Sequence, residues 1–363
     1  MSPKPVAIVA ADTHIDHLIW RSRPEIVYDS FYGFRQLVEA SNKKKLPLIL
    51  AGDCWECLPV NAPSVESLGV IGNFISTLNH PMYYVYGQHD EGGMHDHFSI
   101  FANDNVRRLD YLELGGLKLH GMSWRPKHQL VDAQAHIQPD TDVVICHQVW
   151  SEGMGGINCE GSIKDMPGKL VISGDYHQFK AAKVVRPDGT KVTFVSPGAT
   201  HLRKINEPTE HYYLTLFDDC TVKRTKIKSR TVISADLCDE KGFETLYAAL
   251  PDVLKEAEEL AKELPLALQT PILAISDTSE LPKIESRIKS VVKDRVHLFY
   301  NRIATEAPST LANKSAPSAQ SLAEYAALEI KDDADLAALL LPLFGAEDIQ
   351  SRIDDYRKLV IGQ

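Results

Sequence analysis

Long apolar runs and cysteines are both scarce in this chain of 363 residues. No apolar run reaches the roughly 18–20 residues that a membrane-spanning helix needs, so we expect no membrane span. The six cysteines are scattered along the chain, which indicates reduced thiols in a cytoplasmic protein rather than a disulfide framework. The N-terminal MSPKPVAIVAADTHID enters a strand-like run directly, without the charged region and cleavage site of a signal peptide.

Basic charge is also in deficit, and histidine is nearly missing from the C-terminal part. The net charge of −10 argues weakly against indiscriminate binding to nucleic acid. It does not exclude an enzyme whose metal ions supply local positive charge. Thirteen of the fourteen histidines precede residue 212, and His297 is the only later one. Because histidine is a common metal ligand and proton carrier, we expect the chemistry in the first part of the chain.

Residues 1–230 alternate short apolar runs with amphipathic stretches, which predicts a layered α/β domain. The predicted strands are Val6–Ala10, Leu46–Ala51, Met82–Tyr86, Leu117–His120, Val143–Cys146, Leu170–Ile172, Val192–Val195 and Tyr212–Phe217. The predicted helices are Pro24–Lys43 and Val65–Leu78.

The composition changes after residue 230. Residues 231–306 predict a small α+β domain, residues 307–321 a linker rich in Ala, Ser and Pro, and residues 322–363 a helical segment. The elements predicted in the small domain are helices at Phe243–Leu264 and Leu281–Val292 and strands at Pro271–Ser276 and Val296–Tyr300. In the helical segment, Leu336–Phe344 is compatible both with a partner-docking face and with packing on its own domain.

Chemically potent side chains follow the predicted strands of the first domain. Ligand sites of α/β sheets collect at the carboxyl ends of strands, so residues at several such ends are expected to meet. The residues that come just past an apolar run are Asp12, Asp53, His89, His147 and Asp175.

These residues belong to five short motifs that offer nitrogen and oxygen ligands without a thiolate. In Asp12-Thr-His14 and Asp175-Tyr176-His177, residues two apart can point to the same side. The seven candidate metal ligands are Asp12, His14, Asp53, Gln88, His147, Asp175 and His177. Such a set suits two ions of Mn²⁺, Fe or Mg²⁺ rather than a structural zinc. Paired ions of this kind assist in-line displacement at phosphorus.

The ordered set DxH, GD, G(N/Q)H(D/E), H and GxxH resembles the calcineurin-like metallophosphoesterase superfamily over residues 6–217. The resemblance implies a layered β-sandwich flanked by helices, with the small domain as a cap. It also implies that Asp53 bridges two metals and that His89 is the general acid. By this resemblance, the first metal is held by Asp12, His14, Asp53 and His177 and the second by Asp53, Gln88, His147 and Asp175.

Two positions depart from that family's pattern. Gln88 stands where the family has Asn, and Asp175 stands where it has the first His of G-H-x-H. Both departures fall on the second metal. A carboxylate is a harder ligand than an imidazole, so we expect a stronger preference for Mn²⁺ or Mg²⁺ there, or weaker occupancy.

Within the superfamily, the layout resembles the Mre11/SbcD DNA-nuclease branch. The stretch Phe194–Glu207 partly matches that branch's (Y/F)-x-G-S…E segment, with Ser196-Pro197-Gly198-Ala199 in place of its core. The resemblance implies DNA as substrate, a homodimer, and a Rad50/SbcC-like coiled-coil ATPase partner bound by the C-terminal helices.

Several further residues allow two interpretations. Glu56 is either an acid that orients the catalytic histidine or a surface or N-cap carboxylate. His201, Arg203 and Lys204 either contact substrate phosphates or are ordinary surface groups. Cys54 and Cys57 lack a second cysteine pair to complete a zinc site and are expected to be structural. The remaining histidines considered are His95 and His97, as groove or solvated loop residues, and His120, as structural.

The sequence therefore predicts a cytoplasmic, Mn²⁺-dependent DNA phosphodiesterase with exonuclease or endonuclease activity. Mg²⁺ and Fe are the alternative metals. Two rival functions stay open. One is a phosphatase or cyclic-nucleotide phosphodiesterase on the same scaffold, which the net acidity fits better. The other is a non-catalytic scaffold protein with the same fold, which the presence of His89 disfavours.

Overall fold

The computed structural model describes residues 2–15, 24–56, 63–90, 98, 101, 105–154, 159–204 and 207–303. Within this part the protein has an α/β architecture of mixed β-sheets flanked by helices. Residues 1–303 form one compact unit. The predicted linker 307–321, helical segment 322–363 and Leu336–Phe344 face lie outside the described residues, as do Cys57, His95 and His97. The boundary between residues 230 and 231 stays a prediction.

The first sheet has six strands in the order β12-β11-β1-β2-β3-β4. Strands β1 to β4 are parallel, whereas β11 is antiparallel to both β1 and β12. The bounds are β1 Pro5–Ala10, β2 Leu48–Ala51, β3 Met82–Val85, β4 Val106–Arg108, β11 His211–Phe217 and β12 Val222–Ile227.

The second sheet also has six strands, in the order β5-β6-β7-β8-β10-β9. Its four central strands are parallel, and β5 and β9 run antiparallel at its edges. The bounds are β5 Tyr111–Leu114, β6 Leu117–Met122, β7 Val143–His147, β8 Leu170–Gly174, β9 Lys180–Val185 and β10 Lys191–Ser196.

The two six-stranded sheets face each other across a shared apolar core. Val9 and Ile49 of the first sheet pack in one cluster with Ile145 and Ile172 of the second. Because side chains alternate along a strand, Ile8 points from β1 to the opposite face, into a second core cluster that includes helix side chains. This packing aligns the carboxyl ends of β1, β2, β3, β7 and β8.

Helices cover the outer faces. In α1 (Pro24–Lys44), Phe31, Phe34 and Val38 recur at helical spacing and are buried. Helix α2 (Val65–Ser76) is capped by the Ser64 hydroxyl, which accepts from the Ser67 backbone N–H at 3.1 Å. The short helices α3 and α4 span Leu130–Ala135 and Ser151–Met154.

A third sheet follows, with three parallel strands in the order β13-β14-β15. Helices alternate with its strands, so its connectivity is α/β and the predicted α+β arrangement is wrong in this respect. Helical crossovers are what return a chain to a parallel neighbour. The bounds are β13 Val232–Leu237, α5 Glu240–Ala261, β14 Ile272–Asp277, α6 Ile284–Val292 and β15 His297–Arg302.

The third sheet is tied to helix α1 by a buried ion pair. Arg230 donates to Asp29 with a shortest distance of 2.7 Å, and both side chains are almost fully buried. Arg230 also donates to the carbonyls of Thr270 and Ala267, at 2.7 and 2.9 Å. These additional hydrogen bonds matter because a buried ion pair must recover its cost of desolvation.

No helix of the described residues combines the length and the apolar character that a membrane span requires. No disulfide joins any two of the five cysteines in the described ranges, which include Cys54 and Cys146. That finding agrees with the expected absence of a disulfide framework in this part of the chain.

Candidate metal centre

The predicted ligands lie at, or in loops just beyond, the carboxyl ends of five strands. Asp12 and His14 follow β1, Asp53 follows β2, and Gln88 follows β3. From the second sheet, His147 ends β7, and Asp175 and His177 follow β8. The two facing sheets therefore bring together residues that are up to 165 positions apart in the sequence.

Five of these seven residues have backbones in the left-handed region. The φ angles are 51° at Asp12, 35° at His14, 47° at Asp53, 78° at Asp175 and 52° at His177. Such angles cost a non-glycine residue roughly 1–3 kcal/mol and persist only where the surroundings enforce them. Asp and His tolerate this region better than most residues. The strained turns aim the side chains of neighbouring loops at a common point.

The first ligand group contains Asp12, His14, Asp53 and His177, and one donor atom from each lies within 4.8 Å of all the others. His14 Nε2 is 3.2 Å from His177 Nε2 and 3.6 Å from Asp53 Oδ2. These are the four residues predicted for the first metal.

The second ligand group contains Asp53, His147 and Asp175, whose donor atoms meet the same 4.8 Å limit. His147 Nε2 is 3.3 Å from Asp53 Oδ2 and 4.0 Å from Asp175 Oδ1. The Gln88 amide donates to Asp175 Oδ1 at 2.8 Å. The structure thus assembles the four residues predicted for the second metal, with Asp53 common to both groups.

Several inward-facing atoms of these groups are buried without a hydrogen-bond partner. Within the described residues they include Asp12 Oδ2, Asp53 Oδ2, Gln88 Oε1 and His147 Nε2. An unsatisfied buried polar atom costs about 1–3 kcal/mol, and a coordinated cation removes that cost. The donors are imidazole, carboxylate and amide, which Mn²⁺, Mg²⁺ and Fe accept. The residues present therefore fit divalent cations.

Oxygen atoms beside the remote ring nitrogens hold the imidazoles in orientation. His147 Nδ1 lies 2.8 Å from the carbonyl oxygen of Ala51 and donates to it. His177 Nδ1 donates to Glu207 Oε1 at 2.7 Å, and His14 Nδ1 lies 2.6 Å from Glu56 Oε2. Such partners fix the ring so that Nε2 carries the lone pair toward a metal.

Two glycines permit the close packing at the centre. A Cβ at Gly87 would lie 2.0 Å from Asp53 Oδ1, and a Cβ at Gly174 would lie 2.4 Å from His147 Nδ1. Both distances are far below van der Waals contact, so any side chain at these positions would displace a candidate ligand.

The buried charges perturb one another strongly. Burial raises the pKa of Asp12 to about 6, partly offset by His147 and His177. Burial also opposes ionisation of Asp53, but the neighbouring His147 and His89 outweigh it and hold the pKa of Asp53 below its usual value. Burial disfavours the charged form of His147, yet the surrounding carboxylates raise its pKa well above normal. The cluster therefore favours positive charge at its centre.

His89, the predicted general acid, lies beside the ligand groups and reaches solvent. Its backbone N–H donates to Asp53 Oδ1 at 2.9 Å, and its imidazole Nε2 is 4.0 Å from Asp53 Oδ2. The side chain is 22% exposed. His89 also forms a third potential metal-binding group with His14 and Glu56.

The residues for which the sequence allowed two interpretations lie in different environments. Glu56 is buried, with Oε1 3.5 Å from His89 Nδ1, a position from which it can orient that ring. Arg203 lies inside the site, whereas His201 is buried next to Thr200, 3.5 Å from its hydroxyl. Lys204 is exposed at the surface. Substrate contact by these three residues stays a prediction.

Two residues that adjoin the ligand groups, Glu207 and Asp90, were not assigned from the sequence. Glu207 is the last residue of the Phe194–Glu207 stretch. Its place at the glutamate position of that motif could have identified it from the sequence. Asp90 directly follows His89 and accepts from the Gly87 and Trp55 N–H groups, each at 2.8 Å. Burial, with a contribution from the Asp53 charge, raises the pKa of Asp90 to about 7.

Comparison of the chain with models of known protein families gives no match, and no curated protein matches it either. A functional conclusion must therefore come from the residues of the site.

Proposed function

We propose that this chain is a two-metal phosphoesterase that hydrolyses the phosphodiester bonds of DNA. The observation that carries the proposal is the position of Asp53, whose carboxylate belongs to both ligand groups. A carboxylate has two oxygens and can join two cations at the short separation that two-metal hydrolases use. The facing sheets, with the site at their strand ends, are compatible with the metallophosphoesterase sandwich that the motifs imply.

In this proposal, each ligand group would hold one divalent cation. The ions are Mn²⁺ first of all, with Mg²⁺ and Fe as alternatives. When bound, two such cations would supply a water activated at neutral pH and positive charge for the phosphoryl group. The first is held by Asp12, His14, Asp53 and His177, and the second by Asp53, Gln88, His147 and Asp175.

His89 supplies the proton that the leaving oxygen requires. Its partial exposure lets a substrate approach the ring, while Glu56 lies on the Nδ1 side at 3.5 Å. The backbone hydrogen bond to Asp53 fixes His89 relative to the ligands. A general acid must be within hydrogen-bond reach of the leaving group, and this arrangement keeps the imidazole at the edge of the site.

The His89→Ala variant tests the proposal. We expect Mn²⁺-dependent cleavage of end-labelled DNA to fall by roughly 10²-fold or more, the usual scale for loss of a general acid. Mn²⁺ binding, measured by calorimetry, should survive because His89 is outside the two proposed ligand sets. His128→Ala, at an exposed histidine outside the site, is the matched control and should retain full activity. Equal activity of the two variants contradicts the assignment.

The second candidate is a phosphatase or cyclic-nucleotide phosphodiesterase with the same site. The net charge of −10 favours it, because a polyanionic substrate is repelled by an acidic protein. Parallel assays on duplex DNA, single-stranded DNA and bis-p-nitrophenyl phosphate separate the two. Cleavage of the small diester with no cleavage of DNA selects this second candidate, and no cleavage of any of them selects the non-catalytic scaffold.

The proposed assembly rests on the motif resemblance alone. It comprises a homodimer and a coiled-coil ATPase bound through residues 322–363, in the cytoplasm. Repeating the end-labelled DNA assay with and without a candidate ATPase tests the partnership.

A further inference from the structure

Arg203 carries a buried positive charge into the candidate metal centre. Its guanidinium donates from Nη1 to His177 Nε2 at 3.1 Å and from Nη2 to His89 Nε2 at 3.3 Å. Nη2 also contacts Glu56 Oε1 at 3.1 Å. The residue is only 6% exposed, and its backbone N–H donates to Glu207. These contacts span from a candidate ligand to the candidate general acid.

The contact with His177 has a chemical consequence. Arginine has donors and no acceptor, so His177 Nε2 must be the acceptor, and Nδ1 carries the proton that Glu207 receives. An imidazole nitrogen has one lone pair in the ring plane. His177 Nε2 therefore cannot accept from Arg203 and coordinate a cation at the same time. The guanidinium and the first cation exclude each other at this atom.

Charge adds to this exclusion. Arginine stays protonated in proteins, so its positive charge lies next to the first ligand group. The same charge is well suited to a phosphoryl group, because a guanidinium binds two phosphate oxygens in a fork. His89 Nε2 accepts from the same guanidinium, so it can carry the proton proposed for the leaving oxygen only after Arg203 has turned from both imidazoles toward the phosphoryl group.

We propose that Arg203 competes with the first cation for His177 and, once displaced, binds the phosphoryl oxygens of the substrate. Arg203 is thereby a specificity-determining residue that couples metal binding to recognition of the anion. This inference rests on the proposed two-metal function and adds a role for a residue outside the ligand sets.

The test is the Arg203→Gln variant, examined by two measurements that should move in opposite directions. In Mn²⁺ calorimetry we expect the first site to tighten about tenfold, because a competing charge a few ångströms away is removed. With bis-p-nitrophenyl phosphate at saturating Mn²⁺, we expect KM to rise about tenfold with a smaller change in kcat. If Arg203 were merely structural, its loss would weaken both Mn²⁺ binding and substrate binding.

Two further variants keep the test decisive. Arg186→Gln is the matched control, because Arg186 donates to the carbonyls of Met166 and Gly168 outside the ligand groups; it should alter neither measurement. Arg203→Lys retains the charge but cannot bind two phosphate oxygens as a fork, so its Mn²⁺ affinity and its KM should lie between those of the wild type and of Arg203→Gln. The lysine variant also provides the test if Arg203→Gln fails to fold.

The outcomes separate the inference from the proposed function. Wild-type protein that binds no Mn²⁺ contradicts the proposed function itself. Two Mn²⁺ ions bound by the wild type, with unchanged or weaker binding by Arg203→Gln and Arg203→Lys, overturn the inference alone. Tighter Mn²⁺ binding with an unchanged KM also overturns it, because the guanidinium then has no role at the phosphate.

Discussion

The two ligand groups share Asp53 but are built in different ways. In the first group, side-chain carboxylates adjoin the imidazoles, with Glu207 accepting from His177 and Glu56 close to His14. In the second group, the main-chain carbonyl of Ala51 holds His147. The first group can therefore be tuned by side-chain substitution, whereas the backbone fixes the imidazole of the second. Gln88 and Asp175, the two residues at which the chain departs from the motif that it resembles, both lie in the second group.

The largest effect is expected where the two groups meet. Asp53→Asn keeps an acceptor for the His89 N–H and a residue that tolerates a positive φ, so the fold should persist. The charge shared by both groups is lost. We expect both Mn²⁺ sites to weaken in calorimetry and activity to fall by roughly 10³-fold or more, since each ion contributes several kcal/mol.

Asp132→Asn, at an exposed aspartate of α3, is the control for Asp53→Asn. If Asp53→Asn abolished only one of two Mn²⁺ binding events, Asp53 would belong to a single site. The two ligand groups would then not share this carboxylate.

An intermediate effect, confined to the first group, is expected for Glu207→Gln. The Glu207 carboxylate accepts from His177 Nδ1 at 2.7 Å and from the backbone N–H groups of Arg203 and Lys204. An amide cannot accept all three without turning a donor toward one of them. We expect first-site Mn²⁺ affinity to fall about 10- to 100-fold, the usual scale for a metal ligand's supporting partner.

Glu210→Gln is the matched control for Glu207→Gln, because Glu210 lies on the same segment but pairs with Lys226 at the surface. Calorimetry should show the second site unchanged in both variants. If Glu207→Gln weakened Mn²⁺ binding equally at the two sites, the hydrogen bond from His177 to Glu207 would not act on the first group alone.

The sequence predicted the interior strands of the six-stranded sheets but not their edges. Among the strands of the described residues, the five that it missed lie at sheet edges: β4, β5, β9 and β12 in the six-stranded sheets and β13 in the three-stranded sheet. Interior strands such as β8 are buried at every residue, whereas in β9 every second residue is exposed and only Val184 is buried. A continuous apolar run marks a strand covered on both faces. The half-exposed edge strand β9, with the sequence KAAKVV, has only a two-residue apolar run of valines and lacks that signal.

The candidate ligands were predictable for a related reason. Each ends or follows an interior strand, so the local sequence indicates both the strand and the polar residue at its end. Arg203 and Glu207 do not directly follow a strand. They lie in a loop beyond β10, and only the tertiary structure of that loop brings them to the site. Motif spacing identified the region Phe194–Glu207, but only the folded chain shows which of its side chains point inward.

The smallest effect, confined to the second group, concerns its two departures from the motif. Gln88 donates to Asp175 Oδ1 at 2.8 Å, so the longer amide and the carboxylate form a pair. Gln88→Asn shortens the side chain that donates this hydrogen bond, and Asp175→His removes the carboxylate that accepts it. Each single variant should weaken second-site Mn²⁺ binding, and the double variant should recover part of it. The expected coupling is about 0.5–3 kcal/mol.

The backbone is compatible with Asp175→His, because histidine also tolerates a positive φ. The added imidazole should shift second-site preference from Mn²⁺ toward zinc, a softer cation, while the first group serves as an internal control. Strictly additive losses in the double variant would mean that Gln88 and Asp175 act separately. Two equally tight sites in the wild type, both preferring zinc, would contradict the view that the second group is the harder and weaker half of the centre.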